Sequence, residues 1–224
     1  MWWMTDQKHR LSALGLQRLL GLGSYRTAWL WLQKLRRAMV RPSWDRLGGK
    51  VEVGETYLGG VEAGRSRRHM GSKALVAIAA QINGKGIGRI HLRRIPDASA
   101  NPLVAFVKHA VKPGSVIITD GWEAYAGLKQ EGFEHRPRVI STSSNTASVL
   151  LPRVHRVAAL FNRWLLGSHQ GALSRERLDS YLDEFTFRFN RRNSKARGML
   201  FYRLLQQAVD TDPHPLKELI HGGY

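Results

Sequence analysis

The sequence predicts an α/β protein, a mixed sheet flanked by helices and preceded by a small pair of helices. Apolar side chains recur at helical spacing over residues 11–40, on both sides of a short glycine turn. Over residues 50–140 the pattern changes to the alternation of strands, with a hairpin turn and an apolar strand. Helical spacing returns at about 152–208. Strands, a hairpin, a helix and then a buried strand are the order expected of a mixed sheet covered by helices.

Composition favours a polyanionic partner. The 224 residues are 43% hydrophobic, enough for a core, and carry a net charge of +18. Nucleic acid is the commonest partner of so basic a chain. An anionic membrane is a weaker candidate, because no basic amphipathic helix stands apart from the fold.

The chain offers no sign of secretion or of a membrane span. It has no run of eighteen or more apolar residues and no secretory signal. Zero cysteines exclude disulfides and cysteine-ligated zinc, and they fit a reducing cytoplasm. We therefore expect a cytoplasmic protein.

The positive charge lies in two regions. Residues 1–47 carry nine basic and two acidic groups, and residues 151–203 carry eleven and four. Each region has the same excess of basic over acidic groups. The pattern therefore predicts two contact surfaces and not one disordered basic tail.

The N-terminal helices are separated by "GLGS" at residues 21–24, with Ser24 as the expected N-cap of the second helix. One face of the first helix is expected to hold Leu11, Leu14, Leu19 and Leu20. The inward face of the second is expected to hold Ala28, Leu32, Leu35 and Met39. A basic second helix after a glycine turn is the helix-turn-helix pattern, in which the second helix enters the major groove of DNA. An ordinary helical hairpin has the same spacing, and the pattern alone leaves both open.

Four strands are expected, at about 50–58, 73–82, 87–95 and 115–120. The "NGKG" at 83–86 reads as a hairpin turn, because no helix follows it as a phosphate loop would require. A helix over about 99–111, capped by Ser99, crosses to the last strand. A loop rich in Ser and Thr at 140–150 precedes the helical C-terminal region.

Two strand ends carry unusual residues. In "VEVGETYLGG", residues 51–60, Gly54 occupies a strand interior, which glycine normally weakens. In "VIITDGWEAY", residues 116–125, an apolar strand ends in Asp120. Ligand and catalytic groups collect at the carboxyl ends of such strands, although a lone aspartate there can simply cap the next helix.

The segment 174–205 is predicted to be a helix with aromatic and aliphatic side chains inward, namely Tyr181, Leu182, Phe185 and Phe189. Its last turns carry Arg188, Arg191 and Arg192. These arginines either contact DNA phosphates or stabilise a helix C-terminus, and the local excess of positive charge favours phosphate contact. In the N-terminal helices the candidate DNA contacts are Arg26, Lys34, Arg36 and Arg37.

Four stretches together resemble one known family: "VEVGETYLGG", "ITDGWEAY", "HRVAALFNRW" and "YLDEFTFRFNRR". They are similar to the catalytic domain of bacterial insertion-sequence transposases of the DDE superfamily, in the ISXO-type branch. The resemblance runs from about residue 11 to 208. It implies a ribonuclease-H-like fold and metal-dependent cleavage and transfer of DNA strands at the ends of an insertion sequence.

The resemblance also implies a site that binds two Mg²⁺ or Mn²⁺ ions through three side chains. Its three positions fall on Gly54, Asp120 and His155, so that Asp120 and His155 are the metal ligands present. The sequence departs from the family pattern at Gly54, where an aspartate is expected, and at Asn162, where a lysine is expected. We also expect the family's N-terminal zinc ribbon to be absent, because the 224 residues include no cysteine.

A neighbouring glutamate could replace the missing aspartate. Glu52 shares the face of Gly54 but lies about 6.6 Å away along a strand, and Glu55 points to the opposite face. A β-bulge at Gly54 could turn Glu55 toward the site. The sequence does not decide whether either residue serves.

We therefore expect an insertion-sequence transposase whose cleavage is impaired at Gly54. The alternatives are a catalytically inactive DNA-binding remnant and a structural or RNA-associated basic protein. The expected division is a DNA-binding segment at 1–47, a catalytic domain at 48–208 and a tail at 209–224. The expected partners are duplex DNA, as element ends and target, and further copies of the chain on that DNA. No membrane or small-molecule substrate is expected, and the protein would associate with the nucleoid when bound.

Overall fold

The chain forms two compact units. The helical unit comprises Met1–Arg41 and Glu176–Tyr224, and the sheet unit comprises Pro42–Arg175. The structure, a computed structural model, describes residues 1–6, 11–39, 46–58, 74–138, 150–169 and 178–211. The predicted loop at 140–150 and the predicted tail at 209–224 fall almost wholly outside these ranges.

The sheet unit is built on five strands in the order β3-β2-β1-β4-β5. Its elements are β1 (Lys50–Leu58), β2 (Ala74–Asn83), β3 (Gly86–Ile95), α4 (Ala100–Ala110), β4 (Val116–Thr119), a 3-10 helix (Glu123–Lys129), β5 (Glu134–Pro137) and α5 (Pro152–His169). Strands β1, β2 and β3 pair antiparallel, whereas β4 and β5 run parallel to β1. The predicted mixed sheet, with its ribonuclease-H-like arrangement, is confirmed.

The alternation of β1 assigns its two faces. Val51 and Val53 are fully buried in a core with Leu103 and Phe106 of α4. The opposite face of β1 packs against α5, where Val154 and Phe161 are buried. The two faces of the central strand are therefore covered by different helices, as a layered α/β fold requires.

The predicted strand boundaries agree with the structure to within one or two residues, and the hairpin is confirmed. Asn83 pairs with Gly86 across a two-residue turn, in which Gly84 has a φ of 53°. That left-handed conformation suits glycine. Strand β5 has the sequence EHRP and was not predicted, because it is short, polar and without apolar alternation.

The helical unit comprises α1 (Trp2–Asp6), α2 (Ala13–Leu20), α3 (Tyr25–Arg37), α6 (Leu178–Asn190) and α7 (Arg197–Asp210). The N–H of Gly15 donates to Ser12 Oγ at 3.0 Å, which caps α2. Gly21 ends α2 in the left-handed conformation, with a φ of 60°. Ser24 is the N-cap residue of α3 as predicted, although its side chain makes no capping hydrogen bond.

The inward residues of α3 are confirmed, and those of α2 are partly wrong. Ala28, Leu32 and Met39 are buried, and Leu35 packs partly buried against the same core. In α2, by contrast, the predicted core residues Leu14, Leu19 and Leu20 are all more than 40% exposed. Leu11, just before the helix, is buried as predicted, and the helix itself buries Ala13 and Leu16.

The C-terminal region differs from the prediction in two ways. Two helices, α6 and α7, stand where one helix over 174–205 was predicted, and a turn at 191–196 separates them. The inward positions of α6 are nevertheless confirmed, since the four predicted side chains are all at most 9% exposed. Within the described residues, no helix is long and apolar enough to cross a bilayer.

The core of the helical unit joins the two ends of the chain. Phe187 of α6 and Leu204 of α7 lie in one core with Met4, Leu16 and Leu32. Helix α6 therefore packs within the helical unit. The division into a DNA-binding segment, a catalytic domain ending at residue 208 and a tail stays a prediction. At the N-terminal side, Leu47 is fully buried in the sheet core and forms a bridge with Val111, so the sheet unit begins before residue 48.

Candidate active site

The candidate site lies where β1 and β4 run side by side. Their parallel register pairs Val51 with Ile117 and Glu52 with Ile118. Continued by two residues, the same register brings Gly54 level with Asp120, directly after the end of β4. The strands thus bring together two of the three positions that the sequence predicts, at the carboxyl end of β4.

Gly54 lies beneath the start of α5. A Cβ atom at this position would be 3.0 Å from Leu151 Cδ1 and 3.4 Å from Val154 Cγ1. Such a Cβ would require the end of the Leu151 side chain to move by a few tenths of an ångström, which a flexible methyl terminus allows. A Cβ atom can therefore be accommodated at position 54 with a small local adjustment.

Glu52 is occupied elsewhere, although it shares a face with Gly54. Its carboxylate is fully buried and accepts hydrogen bonds from the backbone N–H groups of Arg153, at 2.8 Å, and Val154, at 3.4 Å. Arg153 Nη1 also donates to Glu52 Oε1 at 2.8 Å. A carboxylate at the first turn satisfies amides that the helix itself leaves unpaired and interacts favourably with its dipole. Glu52 therefore caps α5.

Arg153 extends this contact to the β2–β3 hairpin. Its Nε donates to the carbonyl of Gly86 and its Nη2 donates to the carbonyl of Gly84, both at 3.0 Å. One guanidinium thus joins α5 to β1 and to the hairpin turn, which fixes the start of the helix over Gly54.

Glu55 lies on the opposite face of β1 from Gly54. Tyr125 Oη donates to Glu55 Oε2 at 2.7 Å, and Tyr125 is fully buried in the core on the α4 side. Burial, and to a smaller extent the negative charge of Asp120, raise the pKa of Glu55. Burial and the Glu55 charge likewise raise the pKa of Tyr125, which keeps its hydroxyl a donor. Glu55 is therefore held by Tyr125, near Asp120 but on the other face from Gly54.

The turn that carries Asp120 is fixed by the chain on both sides of it. The N–H of Trp122 donates to Asp120 Oδ1 at 3.1 Å, and Trp122 Nε1 donates to the carbonyl of Ala98 at 3.1 Å. Gly121 between them has a φ of 87°, a conformation that favours glycine. The carboxylate therefore has a defined position at the strand end.

The strand before this turn is held from β5. The buried hydroxyl of Thr119 lies 2.9 Å from His135 Nε2 and accepts from the N–H of Gly121 at 3.3 Å. Burial, with a smaller effect of Lys129, lowers the pKa of His135. The N–H of Arg138 donates to the carbonyl of Thr119 at 2.8 Å, which extends the pairing of β4 and β5 to the end of the strand.

His155, the third predicted position, is exposed on the first turn of α5 and follows the buried Val154. Asn162, in place of the family lysine, is half-buried two turns further along the same helix. Helix α5 packs on β1, so His155 belongs to the element that covers Gly54. Its role as a metal ligand stays a prediction.

The residues present do not fit a two-metal site. Two Mg²⁺ ions require several oxygen ligands that converge on them. At the three family positions this chain supplies only one carboxylate, Asp120, because Gly54 has no side chain and His155 offers an imidazole. Glu52 already accepts a hydrogen bond from the first turn of α5, and Glu55 already accepts one from Tyr125. Among the described residues, no group of three or more His, Asp or Glu side chains could hold a metal ion.

The predicted DNA contacts of α3 fall into two groups. Arg26 and Lys34 are exposed, and Arg37 is half-buried. Arg36 is only 3% exposed, and its Nε donates to the fully buried Glu184 Oε2 at 2.8 Å. This placement does not agree with the prediction for Arg36, whose guanidinium links α3 to α6 inside the helical unit and is not available to a phosphate.

The predicted DNA contacts of α6 lie close to their own helix. Arg188 Nε donates to Glu184 Oε1 at 3.0 Å. The guanidinium groups of Arg191 and Arg192 each stand 4.0 Å over an aromatic ring and donate to a carbonyl of the last turn. These contacts are those of cations at a helix C-terminus. Phosphate contact by Arg191 and Arg192 stays a prediction.

Sheet order and strand directions define a ribonuclease-H-like domain with an acidic residue, Asp120, at the end of β4. The sequence matches the ISXO2-like transposase domain over residues 46–190. This match spans well over half of the 224 residues, and the chain belongs to that transposase family. No curated protein matches the sequence.

The structure also resembles solved structures at 14% sequence identity. A simian T-cell lymphotropic virus intasome in complex with the PP2A regulatory subunit B56 gamma has a TM-score of 0.43 and covers 84% of this chain and 74% of its own. The Mos1 strand transfer complex has a TM-score of 0.40, and the match covers 96% of this chain and 64% of the Mos1 chain. A pre-cleavage Mos1 transpososome has a TM-score of 0.33, and the match covers 92% of this chain and 65% of the Mos1 chain. The chain thus spans slightly less than two thirds of either Mos1 chain, and such TM-scores add nothing to the fold assignment.

Proposed function

We propose that the chain binds duplex DNA at the ends of an insertion sequence, and that its own cleavage of DNA strands is impaired. The observation that carries this proposal is Gly54. Level with Asp120 at the site, where the family resemblance implies an aspartate, the chain has no side chain at all. Cleavage by the two-metal route needs that ligand.

The neighbouring acids support the same conclusion. To replace the missing aspartate, Glu52 would have to break three hydrogen bonds at the start of α5. The first backbone amides of α5 would then lack an acceptor. Glu55 would have to leave Tyr125 and turn to the opposite face of β1. Both moves break existing structure, so we favour a chain that retains DNA binding and has lost most of its cleavage. If no cleavage remains, the protein is a DNA-binding remnant of a transposase.

DNA binding is proposed from charge and from the exposed residues of α3. The net charge of +18 favours a polyanion, and α2, the turn at Gly21 and α3 have the order of a helix-turn-helix. Arg26 and Lys34 extend from the exposed surface of α3. The family resemblance adds that several copies would assemble on the DNA, and that Mg²⁺ or Mn²⁺ would be the cofactor of any residual cleavage.

DNA binding should depend strongly on salt. Arg26→Ala and Lys34→Ala should each weaken the binding of a duplex and lower the slope of log affinity against log salt by about 0.9, the value for one lost phosphate contact. Fluorescence anisotropy with a labelled duplex, over a series of salt concentrations, measures both quantities. The matched control is Lys108→Ala, an exposed cation of the sheet unit that pairs with Glu131, and it should leave the slope unchanged. Affinity that is independent of salt would refute the proposed surface.

The proposed impairment is tested with the same protein. On a duplex that carries the ends of its own element, in Mn²⁺, the natural protein should release no more cleaved product than Asp120→Asn. Binding of the duplex is measured in the same samples, so that a lack of product is not confused with a failure to bind DNA. Product well above the Asp120→Asn level would show that the site is active and that the proposed impairment is wrong.

A further inference from the structure

An exposed tryptophan stands beside the aspartate of the candidate site. Among the described residues of the sheet unit, two large apolar side chains are exposed, Tyr57 at 56% and Trp122 at 54%. Trp122 follows Asp120 by two residues, and its backbone N–H donates to the Asp120 carboxylate. Single exposed apolar residues are ordinary on a protein surface, so exposure alone assigns no role.

The ring of Trp122 is held in place while much of its surface remains open to solvent. Its Nε1 donates to the carbonyl of Ala98 at 3.1 Å, which satisfies the one polar atom of the side chain. A ring fixed in this way loses little further freedom when a flat ligand stacks on it. The tryptophan is therefore ready for stacking, and its position places the stacked group near Asp120.

A basic residue lies beside Asp120 on the neighbouring side of β4. Strands β4 and β5 are parallel and pair Thr119 with Pro137, so the register continued by one residue brings Asp120 level with Arg138. Arg138 is exposed, and its Nη1 donates to the carbonyl of Leu150 at 2.9 Å. Trp122 and Arg138 thus flank Asp120, the first two residues along the chain and the second level with it beyond β5.

We infer that Trp122 and Arg138 form a binding site for an unpaired nucleotide of the DNA strand that passes Asp120. The ring would stack on the base and the guanidinium would contact its phosphate, as in proteins that hold single-stranded nucleic acid. A base inside a duplex has both faces covered by its neighbours, so the site selects a base that is unpaired or at a strand end. This inference rests on the proposed function, because it takes the substrate to be DNA.

The inference is tested by binding alone, without any need for cleavage. The probes are a labelled duplex with a short single-stranded extension, at either the 3′ or the 5′ end, and the same duplexes with abasic residues in the extension. The natural protein should bind the base-bearing extension at one end about tenfold more tightly than the abasic one, which is the scale of one stacked base. Trp122→Ala should bind both equally, and Trp122→Phe should retain part of the difference.

Two controls separate stacking from charge and from folding. Tyr202→Ala removes an aromatic side chain of the helical unit that is 53% exposed, and it should discriminate like the natural protein. Arg138→Gln should weaken the binding of base-bearing and abasic probes by the same factor and lower the salt slope by about 0.9. Circular dichroism should show the same fold for every variant, since Trp122 and Arg138 are exposed.

The outcomes distinguish this inference from the proposed function. Binding of the duplexes without any difference between base-bearing and abasic extensions would overturn the nucleotide site and leave the proposed DNA binding intact. A difference that survives in Trp122→Ala would also overturn it, because another residue would then be reading the base. Failure to bind any duplex would overturn both proposals.

Discussion

Replacing Glu52 by alanine should lower the free energy of unfolding by about 3 kcal/mol, since removal of one partner of a buried ion pair leaves the other uncompensated. The carboxylate is fully buried, and it accepts hydrogen bonds from two backbone amides of α5 and from the Arg153 guanidinium. Alanine would leave those amides without an acceptor and the arginine without its counter-charge. Urea unfolding of the whole chain, followed by circular dichroism, measures the loss.

An exposed ion pair of the same unit provides the control. Glu134 and Arg136 form a pair in which both side chains are more than half exposed. Glu134→Ala should therefore change the free energy of unfolding by less than about 0.5 kcal/mol. If Glu52→Ala proves as mild as Glu134→Ala, Glu52 does not cap α5, and it becomes available again as a substitute for the missing aspartate.

Replacing Glu184 by alanine should destabilise the helical unit by a similar amount, about 3 kcal/mol or more. Glu184 is fully buried and accepts from Arg36 at 2.8 Å and from Arg188 at 3.0 Å. Alanine would leave two guanidinium groups, of which Arg36 is only 3% exposed, without the shared carboxylate. Unfolding of the variant in urea gives the size of the loss.

The arginines allow a graded comparison. Arg36→Ala should cost less than Glu184→Ala, because Glu184 would still be paired with Arg188. Asp210→Ala removes an exposed acid at the end of α7 and should be close to neutral. An effect of Glu184→Ala no larger than that of Asp210→Ala would show that the buried pair does not hold α3 to α6. A loss of DNA binding in Arg36→Ala without a loss of stability would restore Arg36 as a DNA contact.

The sheet could be predicted because its signals are local. Val51 and Val53 alternate with Glu52 and Gly54, the hairpin turn contains Gly84, and β4 is an apolar run. Strand β5 lacks such a signal, since it consists of three polar residues and a proline. The family resemblance then implied a ribonuclease-H-like fold, which periodicity alone does not give.

The pairing of distant charges could not be predicted. Arg36 and Glu184 are separated by 148 residues, and Glu52 and Arg153 by 101, so no local pattern connects them. From the sequence, Arg36 was predicted to contact DNA and Glu52 was considered as a substitute for the missing aspartate. The same limit applies to the packing of α6 and α7 on the N-terminal helices, because no local sequence pattern connects residues so far apart in the chain.

The sequence predicted the positions of the candidate site but not the contacts around them. Asp120 could be found because it ends an apolar strand, and Gly54 because a glycine interrupts a strand pattern. Whether Glu52 or Glu55 replaces its side chain could not be decided without the structure, which shows Glu52 bound to α5 and Glu55 bound to Tyr125. Trp122 and Arg138 carried no separate signal, since their nearness to Asp120 follows from a turn and from the unpredicted strand β5.

The central claim is that the lack of a side chain at position 54 limits cleavage. The most direct measurement compares the natural protein, Gly54→Asp and Gly54→Ala in Mn²⁺ on a duplex with the ends of their own element. Both variants add the same Cβ against Leu151, and only the aspartate adds a ligand. We expect cleaved product from Gly54→Asp alone, with equal DNA binding by all three. Robust cleavage by the natural protein that Glu55→Gln abolishes would contradict the claim, because Glu55 would then have taken the place of the missing aspartate.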